Sequence, residues 1–379
     1  MPWFAFIVRS MEKEFSVAPM LDTTDRHCRA FLRLFSPRFR LYTEMIVVGS
    51  ILHGDRDRLL GFDGSEHPLA LQLGGCHPNE LAMGSRIGVE YGYDEINLNI
   101  GCPSDRVKNA RFGACLMASP RLVAQCVAAM AENVSVPVSV KTRLGIDDLD
   151  HYAHLCRFVE LVSAAGCRKF IVHARKAWLN GLNPKENRTI PPLHYDRVYR
   201  LKQDFPHLRI VINGGISSVD EIALHLEKVD GVMIGREAYR NPWTLKTVED
   251  AFYGDSPGHP RDAAVDFPAR VNIVKSYLPY IESQLQKGIF LRHMTRHMFG
   301  VFYGQGGARS WRRYLSEHGS RKNAGIEVIE QALRLVHPVA RDPGPRHDPG
   351  DHGRIHSRMQ PVNPPRQFER QAWSGPLGM

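Results

Sequence analysis

The sequence has few cysteines, and none is paired with another at a short spacing. There are seven in 379 residues, and no two are separated by only two residues. Disulfide frameworks and zinc ribbons need paired, clustered cysteines, so both classes are excluded. Dispersed cysteines in odd number indicate reduced thiols, and we expect a cytoplasmic protein that binds no metal.

Long hydrophobic runs are also absent. The apolar run at residues 4–8 is too short for the core of a signal peptide, and no stretch approaches the ~20 apolar residues of a membrane span. We therefore predict no membrane association. What the sequence does have is positive charge, with 49 Lys and Arg against 40 Asp and Glu. Hydrophobic residues at 43% suffice to bury a core, and the charge favours a polyanionic partner.

Short apolar segments alternate with amphipathic ones from residue 16 to about 240. Eight of the apolar segments predict β-strands, at residues 16–18, 41–43, 69–73, 95–99, 138–141, 169–173, 209–212 and 231–234. Strands that alternate with helices form βα units and a parallel sheet. Eight units favour an α/β fold of the (β/α)8 TIM barrel type over an open six-stranded sheet, although the second unit has the weakest pattern.

Composition and periodicity divide the chain into five parts. We predict an N-terminal extension, a barrel domain, a linker, a small helical domain and a tail at residues 1–14, 15–242, 243–261, 262–340 and 341–379. Helical periodicity in the fourth part covers residues 271–286, 288–303, 310–318 and 326–336. The tail has seven Pro and five Gly in 39 residues. It cannot bury enough apolar surface to offset its ordering entropy, and we predict disorder.

Polar or ionisable side chains follow the predicted strands. In a barrel these positions meet at the carboxyl ends of the strands, where barrel enzymes have their active sites. The residues are Asp22, Glu44, Gln72, Asn99, Lys141, Arg143, His173, Arg175, Asn213 and Arg236. Polar residues at strand ends are common because loops are solvated, but Gln, Lys and His at the ends of apolar strands favour an active site.

Glycines follow the last two predicted strands, at Asn213-Gly-Gly and Gly235-Arg236. In barrels the loops after strands 7 and 8 commonly hold phosphate, because glycines let backbone N–H groups approach it and an arginine adds charge. We therefore favour a phosphate-bearing cofactor over plain turns. Lys141 is interpreted as a rim ion pair or as a cation that faces anionic chemistry. For His173 the spacing leaves a barrel histidine, a cofactor ligand and an acid or base open.

A cysteine stands just past the predicted strand 95–99, at Cys102. A thiol at this place is partly exposed and can act as an acid, a nucleophile or a metal ligand. No His or Cys lies at ligand spacing, so a metal is disfavoured. The rival is Cys115, which is farther from the strand and lies beside an apolar pair that we expect to pack. We favour Cys102.

Two basic segments point to nucleic acid. In the helical part the basic residues are Arg292, His293, Arg296, His297, Arg309, Arg312 and Arg313. Acidic residues are scarce there, which favours phosphate contact over a solvated basic face. The second segment is residues 175–188, in which Trp178 stands among cations and is predicted to stack a base.

Several motifs resemble the tRNA-dihydrouridine synthases. They are Ala-Pro-Met (18–20), Glu-Ile-Asn-Leu-Asn-Ile-Gly-Cys-Pro-Ser (95–104), Val-Lys-Thr-Arg (140–143), Ile-Val-His-Ala-Arg (171–175), Asn-Gly-Gly (213–215) and Gly-Arg (235–236). Residues 175–188, 295–300 and 307–316 are similar to the A subfamily. The resemblance covers about residues 15–337, in order.

The resemblance implies a flavin enzyme that reduces the C5=C6 bond of uridine at positions 20 and 20a of the tRNA D-loop. Reduced FMN would give a hydride to C6, Cys102 would protonate C5, and NADPH or NADH would reduce the flavin again. The implied FMN-binding residues are Pro19, Met20, Leu21, Gln72, Lys141, His173, Asn213, Gly214, Gly215, Gly235 and Arg236. The implied tRNA-binding residues are Asn99, Lys185, Arg188, Arg309 and Arg312. We expect a monomer.

Two other functions compete with this interpretation. An FMN barrel that reduces a free small molecule, in the manner of a dihydroorotate dehydrogenase, would explain the barrel but leave the arginines of the helical part without a role. The other is a non-catalytic tRNA-binding protein that folds or chaperones RNA and has a vestigial flavin. Flavin colour and reductase turnover would distinguish this binding protein from an enzyme.

Overall fold

Eight parallel β-strands form the centre of the protein. A computed structural model describes residues 13–254 and 263–338, without the side chains of residues 263–265. The strands are β1 (Glu14–Val17), β2 (Leu41–Val47), β3 (Leu69–Gly74), β4 (Glu95–Ile100), β5 (Val138–Arg143), β6 (Lys169–His173), β7 (Arg209–Asn213) and β8 (Gly231–Ile234). Each lies where the sequence predicts a strand, and β2 continues four residues beyond its predicted end at residue 43.

The sheet closes on itself. Its strand order is β1-β8-β7-β6-β5-β4-β3-β2, with parallel pairing throughout. Val17 N donates to Arg40 O at 3.0 Å, and Arg40 N donates to Phe15 O at 2.9 Å. These bonds join the residue before β2 to β1, the two ends of the strand order. The predicted (β/α)8 barrel is confirmed.

Helices connect the strands and cover the outside of the barrel. They are α1 (Arg26–Arg33), α2 (Val48–His53), α3 (Arg56–Leu60), α4 (Pro78–Glu90), α5 (Asp105–Asn109), α6 (Pro120–Ala131), α7 (Tyr152–Ala164), α8 (Tyr195–Asp204), α9 (Val219–Leu226), α10 (Arg236–Arg240) and α11 (Trp243–Tyr253). Local sequence fixes their starts: Asp25 accepts a hydrogen bond from Cys28 N at the first turn of α1, and α4 and α6 begin with proline.

Each strand has an outer and an inner face, because side chains alternate along it. In β4, Ile96, Leu98 and Ile100 are buried in the large core between sheet and helices. Glu95 and Asn97 alternate with them and hydrogen-bond to side chains of other strands inside the barrel. A small apolar cluster shares this interior, formed by Ala18, Tyr42, Ala70, Ile171, Val211 and Met233. The barrel centre is therefore partly polar.

The helical part comprises α12 (Ala263–Gln286), α13 (Arg292–Thr295), α14 (Ala308–His318) and α15 (Glu327–Leu333). It packs against the barrel, where Tyr277 Oη donates to His27 O at 2.7 Å and Trp243 Nε1 donates to Asp266 Oδ2 at 2.9 Å. A helical C-terminal region is thus present as predicted. Among the described residues, no helix is long and apolar enough to cross a membrane.

Two predicted boundaries differ from the structure. The segment 243–261, expected to be a linker, begins with α11, whose side chains Trp243, Leu245, Val248 and Phe252 are buried. The predicted helix over 288–303 is wrong: only α13 and a 3-10 turn at Arg296–Met298 form there. The predicted range begins at Gly288, whose φ of +80° does not fit an α-helix. The predicted N-terminal extension, apart from residues 13 and 14, and the predicted tail from residue 341 lie outside the described residues.

Candidate active site

A cavity of about 530 Å³ opens at the carboxyl ends of the strands. All the residues predicted to bind the cofactor line it: Pro19, Met20, Leu21, Gln72, Lys141, His173, Asn213, Gly214, Gly215, Gly235 and Arg236. Asn99, Cys102 and Arg188 line it as well. Residues from seven strand ends, up to about 220 positions apart in the chain, are therefore brought together as a barrel requires.

Positive charge dominates the cavity wall. The cationic side chains that line it are Lys141, Arg143, Arg188, Arg236 and Arg240, against the carboxylates Asp22 and Glu237. Burial and then the charge of Arg143 lower the pKa of Lys141 to about 7. Burial and the neighbouring arginines also lower the pKa of Arg236. These cations lower one another's pKa because too few carboxylates lie near them to balance their charge. The cavity is therefore suited to binding an anion.

Two consecutive glycines shape the wall after β7. Gly214 has φ of +118° and Gly215 has φ of +77°, a region that L side chains rarely adopt. A Cβ on Gly214 would lie 2.9 Å from His173 Cδ2, and one on Gly215 would lie 3.0 Å from Tyr195 Oη. Tyr195 Oη in turn donates to Gly214 O at 2.6 Å. Both positions therefore favour glycine, and this turn lines the cavity with backbone, which fits a phosphate group.

Lys141 and His173 lie on the cavity floor. Lys141 Nζ donates to Asn213 Oδ1 at 3.2 Å, and Asn213 Nδ2 donates to Met233 O at 2.7 Å. The amide of Asn213 therefore orients the ammonium group. Burial, and then the charges of Arg143 and Lys141, hold the pKa of His173 well below its ordinary value. The direction of this shift favours the neutral imidazole of His173.

Cys102 occupies the turn that follows β4. Asn99 Oδ1 accepts hydrogen bonds from Gly101 N at 3.1 Å and from Cys102 N at 3.0 Å, which fixes the turn through its side chain. The thiol is partly buried and its Sγ lies 3.5 Å from Ser104 Oγ. The structure thus places this thiol at the cavity wall in a fixed backbone.

The rival Cys115 lies elsewhere. It is absent from the cavity lining, and its Sγ donates to Phe112 O at 3.1 Å. Burial raises its pKa. Leu116 and Met117, the adjacent apolar pair, are buried as expected from the sequence. Its placement supports the preference for Cys102.

Arg143 ties two loops of the site together. Its guanidinium donates to Gly101 O at 2.9 Å, to Lys176 O at 3.1 Å and to Asn187 O at 3.0 Å. A second link comes from Lys108, whose Nζ donates to Leu179 O at 2.9 Å. The turn with the thiol and the basic segment 175–188 are therefore held as one unit. The sequence places Arg143 at a strand end but gives no sign of this bracing role.

The residues predicted to bind tRNA divide between two places. Asn99 and Arg188 line the cavity, whereas Lys185 is exposed in the segment 175–188. Arg309 and Arg312 are exposed on α14, outside the cavity, on a helix whose Trp311 is buried. The helix thus presents its arginines to solvent while its apolar side packs, as an amphipathic helix does.

Three members of the basic segments have other partners. Arg296 Nη2 lies 2.5 Å from Asp25 Oδ2, and His297 Nε2 lies 3.0 Å from Asp25 Oδ1, so neither belongs to a solvated basic face. Lys176 Nζ lies 4.1 Å from the centre of the Trp178 ring. One face of Trp178 is therefore covered by this lysine, and only the other remains for a base. The sequence could not reveal these pairs, since the partners of Arg296 and His297 lie about 270 positions away.

Sequence reasoning missed the polar residues inside the barrel. Glu95, Asn97 and Ser139 hydrogen-bond to one another below the cavity floor. The signal for them is the strict alternation in Glu-Ile-Asn-Leu-Asn-Ile and in Val-Ser-Val-Lys. In a strand of a closed barrel that pattern places every second, polar residue inside.

The chain is similar to proteins of known activity over most of its length. The family described as "Dihydrouridine synthase (Dus)" matches residues 16–337. A protein of Shewanella oneidensis named "tRNA-dihydrouridine(20/20a) synthase" is 55% identical over 328 residues, which cover 86% of this chain and 95% of the relative. One of Escherichia coli strain K12 with the same name is 57% identical over 323 residues, which cover 85% of this chain and 91% of the relative. A solved 2-naphthoyl-CoA reductase complex, at 11% identity and a TM-score of 0.48 over 62% of this chain and 49% of its own, is too distant to inform function.

Proposed function

This chain belongs to the dihydrouridine synthase family, and from that premise we propose that it reduces uridines 20 and 20a of the tRNA D-loop to dihydrouridine. The family carries out flavin-dependent reduction of uridine in tRNA. We choose tRNA positions 20 and 20a because the chain is 57% identical to the tRNA-dihydrouridine(20/20a) synthase of E. coli over 91% of that protein. The motif-bearing segments 175–188 and 295–316 lie inside the matched region.

The cavity fits FMN. A phosphate is a dianion near neutral pH, since its second pKa is about 6, and it would neutralise the charge around Arg236 beside the Gly214–Gly215 turn. The flavin ring would lie along Pro19, Met20, Leu21 and Gln72, with Lys141 near its anionic edge. We assign NADPH or NADH as the source of its electrons.

Residues of this chain donate the proton and line the cavity that the uracil base enters. Bound, reduced FMN supplies a hydride for C6 of the uracil ring. Addition at C6 leaves carbanion character at C5, so an acid is needed there, and the Cys102 thiol donates that proton as its S–H bond breaks and the C5–H bond forms. Asn99 holds the turn of Cys102 and so orients the thiol. The base must leave its stack to reach this cavity.

The proposed function is tested by mapping its product. The purified protein is incubated with NADPH or NADH and with tRNA from a strain lacking this activity, and dihydrouridine is located by position. We expect the product at positions 20 and 20a. Dihydrouridine elsewhere in the D-loop would preserve the chemistry but overturn the assignment from residues 175–188. No product from a flavin-loaded protein would favour a reductase of small molecules.

FMN binding should depend on pH through Lys141. Its pKa is about 7 in the cofactor-free cavity, and an anionic ligand beside it raises that pKa. Binding then takes up a proton, so the affinity for FMN should fall as pH rises above 7, by at most about tenfold per pH unit. Fluorescence titration of the apoprotein between pH 7 and 9 measures this. Lys141→Met should bind more weakly with a flatter profile; a wild-type profile as flat as the variant's would refute the role of Lys141.

The arginines of α14 should contribute to tRNA affinity by binding phosphates. Replacing Arg309 and Arg312 with glutamine should weaken binding and reduce the slope of log K against log salt by about 0.7–0.9 for each phosphate that is no longer neutralised. The control is Lys228→Gln, an exposed lysine before β8 at the opposite end of the barrel. Filter binding over a series of salt concentrations gives the slopes. Equal slopes for the double variant and the control would exclude α14 from the interface.

A further inference from the structure

We propose that a buried chain of hydrogen bonds through the barrel positions the thiol of Cys102 for the reaction, with Glu95, Ser139 and Asn97 as positioning residues. This inference rests on the proposed function. We call this series of hydrogen-bonded side chains the barrel relay. Its members are Glu95, Ser139, Asn97, Gln72 and Asn99. It starts at the amino ends of the strands and ends at the backbone of Cys102.

The relay is continuous, and each of its bonds joins neighbouring strands or a strand to its following turn. Ser139 Oγ donates to Glu95 Oε1 at 2.5 Å and accepts from Asn97 Nδ2 at 2.7 Å. Asn97 Oδ1 accepts from Gln72 Nε2 at 2.7 Å. Gln72 Oε1 accepts from Asn99 Nδ2 at 2.8 Å. All five side chains belong to residues at most 8% exposed, so the relay lies away from bulk solvent.

The carboxylate of Glu95 sets the direction of every bond. Burial opposes its ionisation, but Lys169 and Arg40 hold its pKa below the ordinary value. An ionised carboxylate only accepts hydrogen bonds, so the Ser139 hydroxyl must donate to it. Ser139 Oγ therefore accepts from the amide nitrogen of Asn97, which turns the oxygen of Asn97 towards Gln72.

The same logic fixes the last two amides. Gln72 must offer Nε2 to the oxygen of Asn97, which leaves its Oε1 to accept from Asn99 Nδ2. Asn99 then presents Oδ1 to the two backbone N–H groups of Gly101 and Cys102. An amide has no intrinsic preference between its two flipped orientations, so the network alone selects one. With Asn99 reversed, its NH2 group would face two N–H donors and the turn would lose both bonds.

The anchor at Glu95 is itself held from several sides. Lys169 Nζ lies 2.5 Å from Glu95 Oε2 and 3.0 Å from Glu14 Oε1. Tyr42 Oη donates to Glu95 Oε1 at 2.9 Å, and Arg40 Nε lies 3.3 Å from Glu95 Oε2. A carboxylate with these partners keeps one position and one charge state. The carboxylate of Glu95, at the amino ends of the strands, thus determines how the amides of Gln72 and Asn99 are oriented at the cavity.

The competing explanation is that these polar side chains only stabilise the barrel. Stability and positioning are separated by a matched pair of substitutions, Ser139→Ala and Ser85→Ala. Both residues are fully buried, and Ser85 Oγ also donates one short hydrogen bond, to Leu81 O at 2.7 Å. Ser85 lies on α4, outside the barrel relay. Each variant loses one buried hydroxyl, but only Ser139→Ala interrupts the relay.

The experiment measures the thiol directly. Each FMN-loaded protein is treated with iodoacetamide, and the alkylation rate of Cys102 is read by peptide mass spectrometry. Dihydrouridine formation is measured at saturating tRNA, and KM is measured separately. Ser139→Ala should change the alkylation rate several-fold and lower kcat by about 10–100-fold with KM nearly unchanged, since small misplacements of reacting groups cost this much. Ser85→Ala should match the wild type in both.

A second variant keeps the size and shape of the Asn97 side chain but makes its hydrogen bonding depend on pH. Asn97→Asp has the same size, and in its protonated form the new carboxyl can donate to Ser139 and accept from Gln72 as the amide does. Its kcat should approach wild type at acidic pH and fall as pH rises through the pKa of the new carboxyl, relative to the wild-type profile. A profile parallel to the wild type, or equal alkylation rates in Ser139→Ala and Ser85→Ala, would overturn the positioning role.

The outcomes stay separable from those of the proposed function. If the wild-type protein makes no dihydrouridine, the proposed function fails. The alkylation rate of Cys102 still compares Ser139→Ala with Ser85→Ala in that case, because it requires no tRNA and no turnover. A difference between the two variants would then support the relay as a device that positions the thiol, and no difference would overturn it.

Discussion

Cys102→Ala is expected to stop dihydrouridine formation while the protein still binds FMN and tRNA. General acid catalysis contributes about 10²–10⁴-fold to a rate, and the variant removes the thiol that lines the cavity. Reduction of the bound flavin by NADPH should be unaffected, because it requires no proton at C5 of uracil. The loss should therefore appear in the reaction of reduced enzyme with tRNA.

Rapid mixing of reduced enzyme with tRNA, followed by nucleoside mass spectrometry, measures this step alone. Cys115→Ala is the matched control, since that thiol lies outside the cavity lining and is bonded to Phe112 O. It should retain the wild-type rate. Undiminished product formation by Cys102→Ala would exclude Cys102 as the acid. A comparable loss of activity in Cys115→Ala would indicate Cys115 as the acid instead.

Lys169→Met is expected to lower the free energy of unfolding by about 3 kcal/mol, because it removes the buried cation that bridges two carboxylates. Lys169 is 8% exposed and Glu95 is 2% exposed, and the ammonium bridges Glu95 and Glu14. Arg40 remains 3.3 Å from Glu95 and Arg209 remains 3.5 Å from Glu14, but no cation then bridges the two carboxylates. Methionine fills much of the same volume, so the loss is mainly electrostatic.

Urea unfolding at pH 7 measures the change. The control is Lys246→Met, whose ion pair with Asp250 is of the i,i+4 type and has side chains 30% and 22% exposed. Pairs of this kind contribute about 0.3–0.5 kcal/mol, so the control should change little. A similar decrease in the free energy of unfolding in both variants would show that Lys169 is not needed to stabilise the carboxylates inside the barrel.

The barrel and the cavity wall could be predicted from sequence because each depends on short-range pattern. Alternation of apolar segments locates the strands, and Lys141, His173 and Asn213 stand directly at their ends. A closed parallel barrel has only one end at which those residues can meet. The Gly214–Gly215 turn could also be predicted, because its positive φ values favour glycine.

What the sequence could not show depends on contacts between distant positions. The pairing of Asp25 with Arg296 and His297 joins residues about 270 positions apart, and no local pattern distinguishes these cations from Arg309 on a solvated face. Trp178 also looks free in sequence, whereas Lys176 covers one side of its ring.

The pairing of Asp25 with Arg296 and His297 also joins the helical part to the cavity wall. Asp25 directly follows the turn of Met20 and Thr24 at the cavity wall, and its partners belong to the helical part that carries Arg309 and Arg312. Burial opposes ionisation of Asp25, but His297 and Arg296 keep its pKa below the ordinary value, so the link persists at neutral pH. The helical part is therefore joined to the cavity wall by this ion pair. If α14 binds tRNA as proposed, we expect the nucleotide that enters the cavity to be selected by its distance from the RNA that α14 contacts.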